Sequence, residues 1–300
     1  MRIESFTVIE LEKSIAGWKT GLAHIPVYLN ALGINMENIR RVLLYASERG
    51  VATVILPFNA PYGISSGDVA TAPCHTANET IKGISVGKNH PYIKLLKHLS
   101  ESYKLSIISP GLVEKRGRVF YLTTVFFSYP RKGMMIHRKL IVSKAEKPCG
   151  FLAGNSVNFF EDISLRYYVM VGDEIIYPEL SRIPVYGSTD VIIVAQPLTK
   201  PVNRYLEISK YIAIMSGKWV LIIGGFIPGG TSATSIVSTA IISPSGEFVE
   251  IVADPSPTLI FIPQRYLKQG VATEPPDLED LRRFYTITRK IYRMRSRWTL

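Results

Sequence analysis

One stretch of the sequence places two acids directly after a predicted strand, where an enzyme would hold a reactive side chain. The apolar run YYVMV breaks at Gly172 and is followed by Asp173 and Glu174. A helix is predicted to begin soon after, at Pro178. A sharp turn between a strand and a helix pushes one side chain out above a sheet, and α/β enzymes place a nucleophile there. In this chain that position is a glycine, which has no side chain to react.

The elements that would hold this turn occur in two similar sets. The first set has strands at 5–10, 51–57 and 105–109, helices at 36–49 and 91–103, and a hairpin of strands at 119–127 and 134–140. The second set has strands at 167–171, 191–195 and 219–223, helices from 178 and at 202–216, a hairpin over 236–252, and a last strand at 259–262. Asn35 is the predicted N-cap of the first helix. Two such units predict an α/β fold, a four-layer α-β-β-α sandwich with helices outside two packed sheets.

Length and composition agree with one large domain. The 300 residues are 47% hydrophobic, enough to bury an extended core. We assign residues 1–266 to this domain and 267–300 to a basic helical arm. No apolar run approaches the roughly 20 residues of a membrane helix, so no membrane contact is predicted. The only two cysteines, Cys74 and Cys149, are interpreted as free thiols of a cytoplasmic protein. Many isoleucines and few glutamines are typical of thermophile proteins.

The net charge of +11 is concentrated at the end of the chain. The last 20 residues contain seven arginines and lysines and no acid. Such a segment can bind a nucleic acid, but a solvated helix or a helix that docks on another subunit has the same composition. We therefore predict a homodimer or a larger homo-oligomer, with nucleic-acid binding as the less favoured alternative.

In this order, several short motifs resemble those of the nitrilase superfamily of carbon–nitrogen hydrolases. The resembling stretches are Leu56-Pro57-Phe58, His137-Arg138-Lys139, residues 172–180 (GDEIIYPEL) and residues 238–247 (STAIISPSGE). In that family the first stretch carries a glutamate base, the second a lysine that stabilises the tetrahedral intermediate, and the third a nucleophilic cysteine. The resemblance covers residues 5–266 and implies the same four-layer sandwich.

Two of the three catalytic positions implied by this resemblance are substituted. Phe58 stands at the position of the base and Gly172 at that of the nucleophile, and only Lys139 is retained. Phenylalanine cannot carry a proton and glycine cannot form a covalent intermediate. Loss of the nucleophile alone commonly costs about 10⁴-fold in rate or more. The thioester route of the family is therefore closed to this chain.

The remaining polar residues allow two interpretations. Asp173 and Glu174 can form a polar turn in which one carboxylate caps the helix at Pro178. Alternatively, one of them pairs with Lys139, so that the pocket keeps a charge without a nucleophile. Lys139 itself either lines the ancestral pocket or extends its amine to solvent from a strand.

Further candidates lie in two loops. Glu146 is offset by one position from a second active-site glutamate of the family. Cys149, in the same loop, is a displaced nucleophile or a small buried thiol, of which we favour the second. Tyr62, in the long loop after the second strand, is a further pocket candidate. The five histidines and two cysteines form none of the short-spaced metal motifs, so we predict neither a metal nor another cofactor.

Two classes of function follow. The favoured one is a nitrilase-like protein without the hydrolase reaction, acting as a scaffold or as a binding subunit for a small amide or another nitrogen-containing ligand. The alternative is an active hydrolase of carbon–nitrogen bonds in which Cys149, or an acid of the 173–174 pair, works with Lys139.

Overall fold

The computed structural model describes residues 3–12, 16–64, 81–131, 133–229, 235–270 and position 286. Its strands are β1 (Thr7–Glu10), β2 (Lys19–His24), β3 (Val51–Ile55), β4 (Ser106–Arg116), β5 (Val119–Ser128), β6 (Gly133–Arg138), β7 (Phe160–Glu161), β8 (Arg166–Val171), β9 (Val191–Ala195), β10 (Trp219–Ile223), β11 (Gly225–Ile227), β12 (Ser235–Val237), β13 (Thr239–Ile242), β14 (Phe248–Val252) and β15 (Thr258–Pro263). Its helices include α1 (Leu32–Ser47), α2 (Pro91–Tyr103), α3 (Pro178–Ser181), α4 (Ile183–Tyr186), α5 (Tyr205–Ser216) and α6 (Gln264–Leu267).

The strands form two large sheets and a small ribbon. One sheet has seven strands in the order β1-β15-β2-β3-β4-β5-β6, and the other has six in the order β14-β13-β10-β9-β8-β7. In each sheet three neighbouring strands are parallel, β2-β3-β4 and β8-β9-β10. Antiparallel strands extend both sets, β5-β6 in the first sheet and β13-β14 in the second. The two sets of elements predicted from the sequence are thus both present.

The alternation of side chains along the second sheet shows how the layers pack. Residues 191, 193 and 195 of β9 belong to the main core, which also contains the first sheet and α1. Residues 192 and 194 face the other way and form a separate cluster with Ile212 and Ala213 of α5. Since neighbouring residues of a strand point to opposite faces, one face of this sheet meets the first sheet and the other meets the helices. The predicted α-β-β-α order is confirmed.

A buried polar network also joins the two sheets. The carboxylate of Asp162 accepts hydrogen bonds from the Tyr167 hydroxyl at 2.8 Å and from Gln264 Nε2 at 2.6 Å. It also accepts one from the Thr53 hydroxyl. Tyr167 belongs to the second sheet, whereas Thr53 lies in the first. These bonds supply partners to polar groups that would otherwise be buried at a cost.

The first strand of the first set was predicted at the wrong place. A strand is present near the predicted range 5–10, namely β1, but it lies at the edge of the sheet and pairs with β15. The strand that precedes α1 in the fold is β2, which was not predicted from the sequence. Gly21 interrupts its apolar pattern. A Cβ there would lie 3.3 Å from a Val51 methyl and 3.4 Å from the Phe261 ring, a close packing that favours a glycine.

Several boundaries also differ from the predictions. Asn35 is not an N-cap, because α1 begins at Leu32. Its side chain accepts from the Tyr28 N–H at 2.8 Å and donates to the Pro61 carbonyl at 2.9 Å. The strand predicted at 105–109 continues to Arg116, and the one at 134–140 ends at Arg138. The helix predicted from Pro178 is two short helices, α3 and α4. Of the predicted basic arm, residues 271–300 lie outside the described residues except for position 286.

Candidate active site

The turn after β8 is sharp and begins with a residue in the left-handed conformation. Gly172 has φ +59° and begins a 3-10 helix that extends to Ile176. The Gln196 side chain donates to the Gly172 carbonyl at 3.0 Å and fixes the turn from the end of β9. A Cβ at residue 172 would lie 3.8 Å from the Pro197 ring, which is an ordinary contact. The site has space for a side chain, but its left-handed backbone disfavours any residue except glycine.

Glu174 holds the turn to the first sheet. Its side chain is fully buried. One carboxylate oxygen accepts from the Val171 N–H at 2.8 Å and the other from the Leu140 N–H at 2.7 Å. The predicted cap at Pro178 is wrong, because α3 has no side-chain cap. Glu174 instead accepts a hydrogen bond from Val171, the residue before the 3-10 helix that begins at Gly172. A glutamate at the third position of a helix commonly does this, so the sequence contained a signal for this contact.

Lys139 is the centre of the charged cluster. It follows β6, its backbone N–H donates to the Leu122 carbonyl at 2.8 Å, and its side chain is 3% exposed. Its amine donates to the two carboxylate oxygens of Glu146 at 2.9 and 2.8 Å. The same amine forms an ion pair with Oδ1 of Asp173. The predicted pairing of Lys139 with an acid of the turn is confirmed for Asp173.

The charges around the amine alter the pKa values of the cluster. Burial lowers the pKa of Lys139, but Glu146 and Asp173 outweigh that effect and raise it above its ordinary value. Burial raises the pKa of Glu174 to about 7, against the opposing effects of its two backbone donors and of Lys139. The amine is therefore a permanent cation, whereas Glu174 changes its charge near neutral pH.

Glu146 reaches the cluster because of a local motif that the sequence analysis missed. Ser143 and Glu146 form an S-x-x-E pair. The Ser143 N–H donates to the Glu146 carboxylate at 2.8 Å, and the Glu146 N–H donates to the Ser143 hydroxyl at 3.2 Å. This reciprocal arrangement is the one expected of a capping box. It turns the glutamate toward Lys139 despite its offset in the sequence.

Phe58 is part of the core. Its side chain is 1% exposed and belongs to the main hydrophobic cluster. A Cβ at Gly111 would lie 2.4 Å from two atoms of the Phe58 ring. Gly111 has φ +73° and lies where the register of β4 with β5 shifts, between Ser109 and Leu112. The ring thus covers a backbone irregularity that only glycine accommodates.

Two further candidates, Tyr62 and Cys149, have polar contacts with His90 and Ala145. The Tyr62 hydroxyl lies 3.0 Å from Nε2 of His90, the residue that caps α2. The Cys149 side chain is 1% exposed within the main core, and its thiol donates to the Ala145 carbonyl at 3.7 Å. The small buried thiol favoured by the sequence analysis is confirmed. Cys74 lies outside the described residues.

Two cavities of about 370 and 240 Å³ are formed by described residues on the outer face of the first sheet, and their linings do not include Lys139. Within the described ranges, no group of three or more histidine, cysteine, aspartate or glutamate residues is arranged to hold a metal ion. No helix in this part of the chain is both long and apolar enough to cross a membrane.

The cluster can hold charge and transfer protons, but it lacks a nucleophilic side chain at the turn. Lysine has three N–H donors, and three carboxylate oxygens surround this amine. Glu174 has a pKa in the range of a general acid or base, but both of its oxygens accept backbone hydrogen bonds.

Comparison with known proteins gives structural matches alone. No protein-family model and no curated protein sequence matches the chain. Nit3 of Saccharomyces cerevisiae, a nitrilase-superfamily member, is 16% identical with a TM-score of 0.64 over 81% of this chain and 88% of its own. The CN-hydrolase superfamily protein XC1258 of Xanthomonas campestris is 14% identical with a TM-score of 0.66 over 84% and 93%. An amidase from Nesterenkonia sp. is 15% identical with a TM-score of 0.65 over 90% and 98%. This chain therefore has the fold of the nitrilase, or carbon–nitrogen hydrolase, superfamily.

Proposed function

We propose that this chain is a carbon–nitrogen hydrolase-like protein that does not carry out thiol-dependent hydrolysis and acts as a ligand-binding or scaffold subunit. The observation that carries this proposal is the state of Lys139. An oxyanion is stabilised by donors that are free to point at it. Here the amine donates two hydrogen bonds to Glu146 and forms an ion pair with Asp173, and the adjacent turn offers Gly172 in place of a nucleophile.

The substituted base position supports the same conclusion. Phe58 is buried in the core against Gly111, in a place where a carboxylate would lose its hydration. The two substitutions are thus accommodated by the surrounding packing. A ligand of this subunit would be a small amide or another nitrogen-containing molecule, and the protein would be cytoplasmic.

Turnover of a panel of amides and nitriles tests the proposal. We expect the purified chain to release no ammonia above the level of the Lys139→Ala variant. Turnover that is abolished by Lys139→Ala or by Cys149→Ala would refute it. As an independent measurement, an electrophilic probe followed by mass spectrometry should leave Cys149 unlabelled in the folded chain.

A second candidate is an active hydrolase with rearranged residues. It is favoured by Glu174, a buried carboxyl group whose pKa of about 7 is typical of acid–base catalysts, one residue from Asp173 and two from the turn glycine. Hydrolysis that survives Cys149→Ala but is lost in both Glu174→Gln and Lys139→Ala would support this candidate against the first.

We further propose that the subunit forms a homodimer through α5. Tyr211, Ile214 and Met215 of this helix are 54%, 54% and 48% exposed. Glu207 lies at one end of the same face and Lys218 just beyond the other. If two copies of α5 cross antiparallel, each Glu207 lies opposite Lys218 of the second copy, so the face complements itself in charge as well as in hydrophobicity. The sequence predicts a different interface, the basic segment at 282–297, or alternatively a nucleic-acid contact of that segment. This prediction stays a separate hypothesis.

A further inference from the structure

We propose that the groove on the outer face of β4, β5 and β6 binds a single-chain amphiphile with an anionic head, such as a long-chain carboxylate. The groove consists of the two cavities of about 370 and 240 Å³, whose linings share Lys88, Ile93 and Met134. Binding sites for small molecules commonly have volumes of roughly 300–1,000 Å³. The joined cavities are therefore large enough for a ligand of this kind.

The floor of the groove is apolar along its length. Val125 and Phe127 point into it from β5, Leu112 from β4 and Ile136 from β6, while Ile93 of α2 forms the wall. The neighbouring Phe126 faces the other way and stacks on Phe160 between the sheets, with ring centroids 5.2 Å apart. The groove is therefore on the opposite side of the first sheet from the inter-sheet core.

The groove is elongated. It follows β5 from Thr123 to Ser128, five residue steps that span about 17 Å at roughly 3.4 Å per step. A groove of this length with apolar side chains on its floor can hold an extended alkyl chain. Burial of each methylene group would contribute about 0.8 kcal/mol.

Charge is distributed unequally between the two ends. At the β4–β5 turn, Lys115 and Arg116 line the groove. The one acid there, Glu114, accepts from Nε and Nη2 of Arg138 at 2.7 and 2.8 Å and lies 3.9 Å from Nε of Arg116. The cations therefore outnumber the acid at this end, and Lys115 is the cation of the lining there that forms no ion pair with it. At the far end the lining contains one cation and one acid, Lys97 and Glu101, in addition to Lys88, which lines both cavities. The anionic head is therefore placed at the turn, with the alkyl chain extending toward Phe127.

A peptide strand added to the sheet fits less well. Strand addition needs free backbone groups along the edge of β6. The Asn158 side chain already donates to the Ile136 carbonyl at 2.9 Å at that edge. Part of the edge of β6 is therefore occupied, an arrangement that favours a ligand lying on the floor of the groove over an added strand.

Binding of dodecanoate to the full chain, measured by calorimetry below its micellar concentration, tests the proposal. Met134→Glu places a charge in both cavities and should weaken binding at least about tenfold, a change of 1.4 kcal/mol. Met135→Glu is the matched control, because Met134 and Met135 are 38% and 37% exposed on opposite faces of β6. Equal loss in the two variants, or no saturable binding to the native chain, would overturn the proposal.

The head group is tested separately. Lys115→Glu should weaken dodecanoate binding several-fold, whereas Lys94→Glu, an exposed position on α2 outside both cavities, should leave it unchanged. Dodecanol should bind the native chain more weakly than dodecanoate does. Its affinity should be the same for the native chain and for Lys115→Glu. Equal affinity of alcohol and carboxylate for the native chain, or binding to anionic phospholipid vesicles without binding to dodecanoate, would contradict the proposed site. Neither result bears on the hydrolase test, because that test measures turnover and the Lys139 cluster does not line this groove.

Discussion

The amine of Lys139 forms an ion pair with the carboxylate of Asp173, the residue directly after the turn glycine. This contact links the end of β6 in the first sheet to the end of β8 in the second. Glu146 binds the same amine from the loop that follows. The Lys139 amine is therefore part of an internal structural cluster that joins the two sheets.

Removal of the lysine should destabilise the chain strongly. Lys139→Met leaves Glu146 buried without its cation, and loss of one partner of a buried pair typically costs about 3–5 kcal/mol. Asp173→Asn should cost about 1 kcal/mol or less, since the Asp173 side chain is 23% exposed and Glu146 remains bound to the amine. Urea unfolding of both variants measures the difference.

A control variant and a double variant test whether the buried ion pair causes this loss of stability. Lys144→Met removes an exposed lysine from the same loop and should not change the urea midpoint. The double variant Lys139→Met with Glu146→Gln removes both charges and should recover part of the lost stability. A double variant less stable than the sum of the two single effects would contradict the buried pair as the cause.

The pKa of Glu174 predicts a dependence of stability on pH. Its folded-state pKa is about 7 against an ordinary value of 4.5, so the folded chain binds this proton more tightly. The resulting stabilisation is complete below pH 4.5 and is lost as the pH rises through about 7. Lys139, Asp173 and the hydroxyl of Tyr168 are the ionisable groups that interact with this carboxyl.

Glu174→Gln should remove that part of the pH dependence. The difference in unfolding free energy between native chain and variant should change between pH 4.5 and pH 8, by up to the order of 3 kcal/mol. The exposed Glu179→Gln is the matched control and should follow the native chain at every pH. Parallel curves for the native chain and Glu174→Gln would show that this group does not titrate in the predicted range.

Part of this fold and site was predictable because it depends on local pattern. The apolar strands and the amphipathic face of α1 lie in the sequence itself, and Lys139 followed from a motif. The missed features depend on contacts between distant segments. Gly21 interrupts β2 because Phe261 and Val51 pack against it. Asn35 lies inside a helix because Tyr28 and Pro61 bind its side chain.

The dimer proposed for α5 predicts a change in association state. Ile214→Arg places a charge on the exposed apolar face and should convert a dimer to a monomer in sedimentation experiments. Ile163→Arg is the matched control, since Ile163 is also an exposed isoleucine but lies before β8, away from α5. A native chain that is monomeric at all concentrations, or one in which both variants dissociate alike, would exclude this interface.

The two glycines with left-handed backbone should respond differently to alanine. Gly172→Ala has room beside Pro197, so it should cost only the conformational penalty of about 1–2 kcal/mol. Gly111→Ala carries a similar penalty and in addition forces its Cβ to within 2.4 Å of the Phe58 ring, so it should cost more. Thermal unfolding of both variants tests the order.

A double-mutant cycle isolates the contact with the ring. Phe58→Ala alone should cost about 3–5 kcal/mol because it leaves a cavity in the core. In the double variant with Gly111→Ala, the added methyl group enters that cavity, so the total loss should be smaller than the sum of the single losses. Additive losses would mean that the ring moves aside without cost. The favourable coupling predicted here would instead show that Phe58 is fixed against Gly111.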